Sequence, residues 1–238
     1  MIELYACGSP NVAKVLFMLG ETNLPYRITP VDIARGGQYQ DSFVALNPNA
    51  KVPVIIDDDG PTDEPYTVFE SGAILLYLAE KTGMLMPTDA ESKHVVHQWL
   101  FVQASSLGPM CGQERHFAQS APEEGNRYAL RRYRAEVRRL LDVLDNRLAE
   151  NEYLAGDAFT LADVAAFPGV QLHTDLLGGR WGRPNMVRWL DRVDRRAGYR
   201  KIKPVVMDLQ ARDAAAFAEA DPDQLDRFFG RGAYAKYV

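Results

Sequence analysis

Residues 51–83, KVPVIIDDDGPTDEPYTVFESGAILLYLAEKTG, combine two strand patterns and a helix pattern in one short stretch. KVPVIID is an apolar run opened by a proline, DDDG is typical of a turn, and YTVFE fits a hairpin partner for the first run. ESGAILLYLAEKTG then has apolar residues at helical spacing, and Gly83 stands where a helix C-cap is expected. The stretch therefore predicts strand, strand and helix, in that order.

The residues before this stretch alternate strand and helix patterns. IELYA predicts a first strand, and a helix pattern follows in which Ser9 fits the N-cap and Pro10 the first helical position. YRITPVDI predicts a second strand, and DSFVALN predicts at most a short helix. The complete order predicts an α/β domain with a mixed four-stranded sheet over residues 1–83.

Beyond this first domain the pattern is helical nearly to the end of the chain. Residues 84–92 are mostly polar, contain a proline and are interpreted as a linker, and residues 93–205 are predicted to form an all-helical domain. In FTLADVAAF, residues 159–167, a threonine followed three residues later by an aspartate signals a helix start. The extension 206–238 has an alanine-rich part and is predicted to be partly helical. The expected fold class is α/β plus all-α.

The composition of the chain excludes several classes of function. Hydrophobic residues make up 47% and charged residues 25%, as in ordinary globular proteins. The net charge of −5 offers no overall basic surface for nucleic acid. No apolar run approaches the roughly 18 residues of a membrane span, and the N-terminus lacks the features of a signal peptide. We therefore expect a cytoplasmic protein that binds neither nucleic acid nor membrane.

The two cysteines form neither a CxxC pair nor, with the four histidines, a metal-binding spacing. We therefore expect no metal. Cys7 and Cys111 are interpreted as small buried hydrophobic residues that stay reduced in the cytosol. Cys7 is the more open case, because it lies two residues before the turn at Ser9.

The two halves contain segments that can be compared with known families: SPNVAKV, GGQY, NPNAKVPVI, FESGAILLYLAEKTG, LGPMCGQERHF and FTLADVA. Together they resemble a cytosolic glutathione transferase over residues 1 to about 205. The combination is similar to the Nu class of bacterial glutathione transferases, which includes glutathione-dependent disulfide-bond reductases. The resemblance implies a thioredoxin-like N-terminal domain, a C-terminal helical bundle and a homodimer.

Glutathione, the substrate that the resemblance implies, is a tripeptide with a thiol, an ammonium group and two carboxylates. At its γ-glutamyl end, the Ser71 hydroxyl and free N–H groups at the helix start would bind the carboxylate, and Glu70 would bind the ammonium group. The resemblance also makes Pro53 a cis-proline. The backbone of Val52 would then pair with the cysteinyl unit of glutathione as an added strand.

Three further residues are assigned to glutathione by the resemblance alone. Gln38 and Lys51 would reach the glycyl end, and Arg132 matches an arginine associated with glutathione binding in the Nu class. Each assigned residue also has an ordinary explanation. Glutamine and lysine are mostly exposed, and the run RRYRAEVRR around Arg132 is typical of a solvated helix face. Ser71 also fits a plain helix cap, and Pro53 an edge-strand proline.

The turn at Ser9 is where thioredoxin-type redox proteins place a cysteine directly before a proline. Here the proline lies between Ser9 and Asn11, which offer a hydroxyl and an amide donor beside the positive end of a helix dipole. Because such groups favour a thiolate, the thiol can arrive with glutathione, and Ser9 and Asn11 are the catalytic candidates. The Nu pattern usually has threonine in place of Ser9. Cys7 does not precede the proline directly, and Tyr5 is expected in the core.

Three functions fit these observations. The first is reduction of a small-molecule disulfide by an activated glutathione thiolate without a protein cysteine, with one or two glutathione molecules or oxidised glutathione in the site. The second is conjugation of glutathione to small electrophiles, or peroxide reduction, by the same thiolate. The third is a non-catalytic binding or regulatory protein of this fold. The donors at Ser9 and Asn11 favour a catalytic function.

Overall fold

The computed structural model describes residues 1–121, 126–177 and 182–235. The chain forms two compact units, of which the first combines Met1–Tyr77 with Ala197–Val238 and the second is Leu78–Arg196.

The first unit contains a four-stranded mixed sheet. Its strands are β1 (Ile2–Ala6), β2 (Tyr26–Pro30), β3 (Val54–Asp57) and β4 (Tyr66–Phe69), in the spatial order β2-β1-β3-β4. β1 and β2 are parallel, whereas β1 with β3 and β3 with β4 are antiparallel. This arrangement confirms the mixed sheet and the thioredoxin-like domain predicted from the sequence.

Helices form most of the remaining described chain. A π-helical turn at Gln103–Leu107 connects two of them, and single 3-10 turns occur at Gly37–Tyr39 and Gly232–Tyr234. In chain order the helices are α1 (Pro10–Thr22), α2 (Asp41–Val44), α3 (Ser71–Thr82), α4 (Ala90–Val102), α5 (Gly108–Gln119), α6 (Asn126–Glu150), α7 (Leu161–Leu177), α8 (Pro184–Asp194), α9 (Ala197–Glu219) and α10 (Pro222–Phe229).

Helix α1 begins where the sequence predicts. Ser9 has an extended backbone, and its Oγ accepts a hydrogen bond from the Val12 N–H at 3.3 Å, so Ser9 is the N-cap. Pro10 occupies the first helical position, where no N–H is needed. The cap fixes the direction in which the start of α1 leaves the sheet.

Helices are the main elements of the second unit within its described residues, and irregular segments connect them. The segment between α3 and α4 spans residues 83–89, close to the linker predicted at 84–92. Helix α7 begins at Leu161, as the start signal predicts. The buried Asp163 carboxylate in its first turn accepts hydrogen bonds from the Thr160 N–H at 3.0 Å and from the Trp189 indole at 2.9 Å. These bonds tie α7 to α8.

Helix α9 belongs to the first unit and packs on α1. It runs without a break through residue 205, where the sequence predicts the boundary between the helical domain 93–205 and the extension 206–238. Two glycines make the packing close, since a Cβ on Gly20 would lie 2.4 Å from the Gly198 carbonyl oxygen. No local sequence pattern indicates a contact between such distant residues. The last three residues, 236–238, lie outside the described residues.

No helix in the described part of the chain is long and apolar enough to cross a membrane. Among the same residues, no group of three or more His, Cys, Asp or Glu side chains is arranged to hold a metal ion.

Candidate active site

The first unit brings the starts of helices α1 and α3 together. Asn11 lies in the first turn of α1, and Ser71 is the first residue of α3. The Lys14 ammonium group lies between them, because its Nζ donates to Asn11 Oδ1 at 2.7 Å and to Ser71 Oγ at 3.4 Å. The first N–H groups of both helices also carry partial positive charge. This region therefore suits an anionic ligand.

Ser9 presents a hydroxyl group at the start of α1. The helix cap uses Ser9 Oγ as an acceptor, so the cap does not use the hydroxyl proton. The Ser9 hydroxyl and backbone N–H also act on the neighbouring Cys7 thiol in the direction that lowers its pKa. Ser9 therefore offers donors to a sulfur atom at this position.

The two cysteines are poorly suited to act as nucleophiles. Burial raises the pKa of Cys7 to about 11, and the Asp213 carboxylate acts in the same direction. Burial likewise raises the pKa of Cys111 to about 12, with a further contribution from Glu114. Because the thiolate is the reactive form, neither side chain is an activated nucleophile near neutral pH. Both cysteines are free thiols.

Lys14 lies in this candidate site, although no sequence pattern points to it. Its side chain is only 2% exposed, although it lies in an otherwise apolar part of α1. Burial lowers the pKa of Lys14 to about 7, and the Glu70 carboxylate acts in the opposite direction. The sequence signal is weak, because lysine is seldom buried and its partner Ser71 lies 57 residues further along the chain.

Glu70 and Ser71 form the start of α3. The Glu70 backbone is left-handed, with φ of 68°, a conformation that non-glycine residues rarely adopt and that is enriched at functional sites. Its carbonyl accepts the Ile74 N–H at 2.9 Å, and its exposed carboxylate accepts from Asn49 Nδ2 at 3.3 Å. The pair thus places a carboxylate acceptor next to a hydroxyl at a helix N-terminus.

The segment before β3 carries two further residues assigned to glutathione. The peptide bond between Val52 and Pro53 is cis, the geometry that the resemblance implies at this position. The Lys51 side chain is exposed, while its carbonyl accepts from the buried Asn47 amide at 2.6 Å. Asn47 therefore holds the loop from which Lys51 projects.

Gln38 is buried, so it is not the exposed surface residue that its type favours. It is 4% exposed, and its Nε2 donates to the Ile33 carbonyl at 3.4 Å. Its Oε1 is buried without a hydrogen-bond partner among the described residues, which leaves an acceptor unused. Arg132, by contrast, is exposed on α6 of the second unit, one turn before Glu136, whose pKa it helps to lower.

Helix α9 contacts the loop that precedes Ser9. Asp213 Oδ2 accepts the Gly8 N–H at 2.8 Å, and a Cβ on Gly8 would lie 2.6 Å from the Gln210 Cα. A pocket of about 360 Å³ lies beside this contact, lined by residues 30–35 and by α9 residues that include Phe217. No sequence pattern indicates Asp213, because it lies 205 residues from its partner Gly8.

Family comparisons cover most of the chain. Residues 8–81 match the N-terminal domain of glutathione S-transferases, and residues 107–197 match the C-terminal domain of the same proteins.

Two curated proteins of Escherichia coli (strain K12) are similar to this chain. The disulfide-bond oxidoreductase YfcG is 41% identical over 195 residues, which cover 81% of this chain and 90% of YfcG. The disulfide-bond oxidoreductase YghU is 40% identical over 173 residues, which cover 70% of this chain and 59% of YghU.

Two solved structures have similar folds. A glutathione transferase from Burkholderia graminis, with two glutathione molecules bound per subunit, is 40% identical with a TM-score of 0.80, over 84% of this chain and 86% of the other. A glutathione transferase from Pseudomonas putida, with one glutathione disulfide bound per subunit, is 35% identical with a TM-score of 0.79. The match covers 84% of this chain and 89% of the other.

Proposed function

The chain belongs to the glutathione S-transferase family, and on this basis we propose that it is a glutathione-dependent disulfide-bond reductase. The observation that carries the proposal is the pairing of two donors, Ser9 and Asn11, at the start of α1 with cysteines that are not activated. Such a site stabilises a thiolate that it does not itself supply. The similarity to YfcG and YghU, both named disulfide-bond oxidoreductases, supports disulfide exchange.

Glutathione would lie across the starts of both helices. Its γ-glutamyl carboxylate would bind Ser71 and the first N–H groups of α3, and its ammonium group would bind Glu70. The backbone of Val52 would pair with the cysteinyl unit. The charges are complementary, because the Glu70 carboxylate would face the ammonium group of glutathione and the N-terminus of α3 would face its γ-glutamyl carboxylate.

The remaining assigned residues serve the rest of the ligand. Lys51 would pair with the glycyl carboxylate, and the side-chain amide of Gln38 would hold the same end of the ligand. Arg132 is proposed as a further glutathione-binding residue.

The reaction is two successive thiol–disulfide exchanges. In the first, the glutathione thiolate attacks one sulfur of the substrate disulfide, the sulfur–sulfur bond breaks, and one substrate thiolate leaves and takes a proton from water. In the second, another glutathione thiolate attacks the glutathione sulfur of the mixed disulfide. The second substrate thiolate leaves, and oxidised glutathione is the product.

Ser9 and Asn11 would stabilise the attacking thiolate, and removing one such donor typically costs about 3 kcal/mol. The two similar structures, with two glutathione molecules or one glutathione disulfide bound, support a site that holds both reactants of the second exchange.

We also propose that the protein is a Nu-class enzyme that acts as a homodimer in the cytoplasm. The similarity to the bacterial proteins YfcG and YghU supports the class. A cytoplasmic location fits the need for reduced glutathione. Sedimentation equilibrium measures the subunit number directly, and a mass of one chain would contradict the dimer.

The proposal is tested by glutathione-dependent reduction of 2-hydroxyethyl disulfide, coupled to NADPH consumption through glutathione reductase. We expect activity in the wild type, a fall in kcat/KM on the order of 10²-fold in Asn11→Ala, and no change in the control Asn151→Ala. A wild type that binds glutathione and conjugates chlorodinitrobenzene but reduces no disulfide would instead identify a transferase. A wild type that fails to bind glutathione would indicate the non-catalytic alternative.

A further inference from the structure

Lys14 is a lysine buried in an apolar part of helix α1. Its side chain is 2% exposed in a helix whose neighbouring residues are apolar and buried. Burying an ammonium group is unfavourable unless it is paired and hydrogen-bonded, and an apolar residue of similar size is often at least as stable in such a place. The position of its ammonium group therefore calls for a functional explanation.

The ammonium group contacts the catalytic candidate directly. Lys14 lies three residues after Asn11, so both side chains occupy the same face of α1. The hydrogen bond from Lys14 Nζ to Asn11 Oδ1 is short, at 2.7 Å, and is charge-assisted when Lys14 is protonated. The same Nζ reaches Ser71 Oγ at 3.4 Å, and the Glu70 carboxylate faces it from the start of α3.

This contact determines which end of the Asn11 amide is available. In its protonated form the Lys14 side chain has three donors and no acceptor, so it faces the amide oxygen. The Nδ2 group of Asn11 then points away from Lys14. Without Lys14, the amide of this exposed side chain could rotate and present either its oxygen or its nitrogen to a ligand. An oxygen facing a thiolate would repel it.

We propose that Lys14 is a positioning residue that holds Asn11 Oδ1 so that Asn11 Nδ2 faces the glutathione sulfur. The inference rests on the proposed function, because it needs glutathione at the start of α1. Lys14 acts through Asn11 and does not contact the sulfur. Its second contact, with Ser71, fixes the ammonium group relative to the helix that would bind the γ-glutamyl carboxylate.

The test uses the full chain and the variants Lys14→Met, Asn11→Ala and the double variant. The pKa of enzyme-bound glutathione is followed by the ultraviolet absorbance of the thiolate, and kcat and KM for 2-hydroxyethyl disulfide are measured alongside. Lys201→Met is the matched control, because Lys201 Nζ also donates to an asparagine Oδ1, that of Asn23 at 3.1 Å, on the exposed surface.

We expect Lys14→Met to stay folded, to raise the pKa of bound glutathione by about 1 and to lower kcat about tenfold with little change in KM for the disulfide. In the Asn11→Ala background, Lys14→Met should have almost no further effect, since the group that it positions is absent. Lys201→Met should match the wild type. An unchanged thiol pKa in Lys14→Met, or additive losses in the double variant, would overturn the inference.

A crystal structure of the wild type with glutathione gives a second test that does not depend on a variant folding. Asn11 Oδ1 should remain on Lys14, with Nδ2 at hydrogen-bond distance from the sulfur, whereas Oδ1 facing the sulfur would refute the inference. The wild-type titration separates the two proposals. If the wild type lowers the pKa of the bound thiol and Lys14→Met has the same thiol pKa, only the proposed role of Lys14 is refuted. If the wild type binds no glutathione, both the role of Lys14 and the proposed function are refuted.

Discussion

Ser9 caps α1 through its hydroxyl oxygen, which accepts the Val12 N–H. In the proposed function, the proton of the same hydroxyl group would be donated to the glutathione sulfur. A threonine would keep both roles, which agrees with the usual Nu pattern at this position. An alanine would remove both.

We predict that Ser9→Thr retains most of the disulfide reductase activity, whereas Ser9→Ala loses on the order of 10²-fold in kcat/KM. Ser9→Ala should also lower the free energy of unfolding by about 1 kcal/mol through loss of the cap. The control is Asp89→Ala, because Asp89 caps α4 through the Ser92 N–H at 2.8 Å and is not part of the proposed site. Steady-state kinetics and thermal unfolding measure the two effects. Equal activity loss in Asp89→Ala and Ser9→Ala would show that Ser9 acts through stability alone.

The sequence predicts part of the site at the residue scale. Ser9, Glu70 and Ser71 are recognisable because caps and helix starts depend on neighbouring residues. The burial of Lys14 and the contact of Asp213 with the Gly8 N–H depend on residues 57 and 205 positions away, so no local pattern reveals them.

Helices α1 and α9 pack closely because glycine occurs on both sides of the contact. A Cβ on Gly20 would lie 2.4 Å from the Gly198 carbonyl oxygen, a distance that requires the backbone to move. A Cβ added to Gly169, in the interior of α7, would instead meet no atom within 4 Å.

We predict opposite effects of alanine at these two glycines. Gly20→Ala should lower the free energy of unfolding by roughly 1–3 kcal/mol, because the added methyl group forces the helices apart. Gly169→Ala should raise it by about 0.5–1 kcal/mol, because alanine favours the helix and meets no neighbour. Urea unfolding monitored by circular dichroism measures both. A stabilising Gly20→Ala would contradict the close packing.

At the scale of elements, the sequence predicts the strands, α1 and α3 well, because each has a strong period and a clear start. It places the C-terminal extension differently from the structure, since its boundary at residue 205 falls inside α9. The helical period identifies a helix but not the unit on which its buried face packs.

At the scale of the whole molecule, the first unit is built from both ends of the chain. α9 covers α1, buries Leu209 and holds the loop before Ser9 through Asp213. α10 has no fully buried residue, and its Arg227 lies over the exposed ring of Tyr39 at 4.8 Å. The two C-terminal helices therefore contribute unequally to the unit.

Two truncated chains test this organisation. Ending the chain after Val205 should lower the free energy of unfolding by several kcal/mol, because the buried Leu209 is lost and the Gly8 N–H loses its partner. Ending it after Glu219 should change stability little, since the described residues that it removes, 220–235, are exposed or half-buried. Thermal unfolding and glutathione binding are the readouts. If the two truncations were equally stable, α9 would not be a core helix of the first unit.

The measurement that tests the central claim most directly compares a cysteine-free protein with Asn11→Ala in the glutathione-dependent reduction of 2-hydroxyethyl disulfide. The cysteine-free variant carries Cys7→Ala and Cys111→Ala, which replace the protein's only two thiols. We predict that it retains most of the wild-type rate, because the reacting thiolate belongs to glutathione, whereas Asn11→Ala falls on the order of 10²-fold. Loss of activity in a folded cysteine-free variant, with Asn11→Ala still active, would show that a protein thiol performs the exchange.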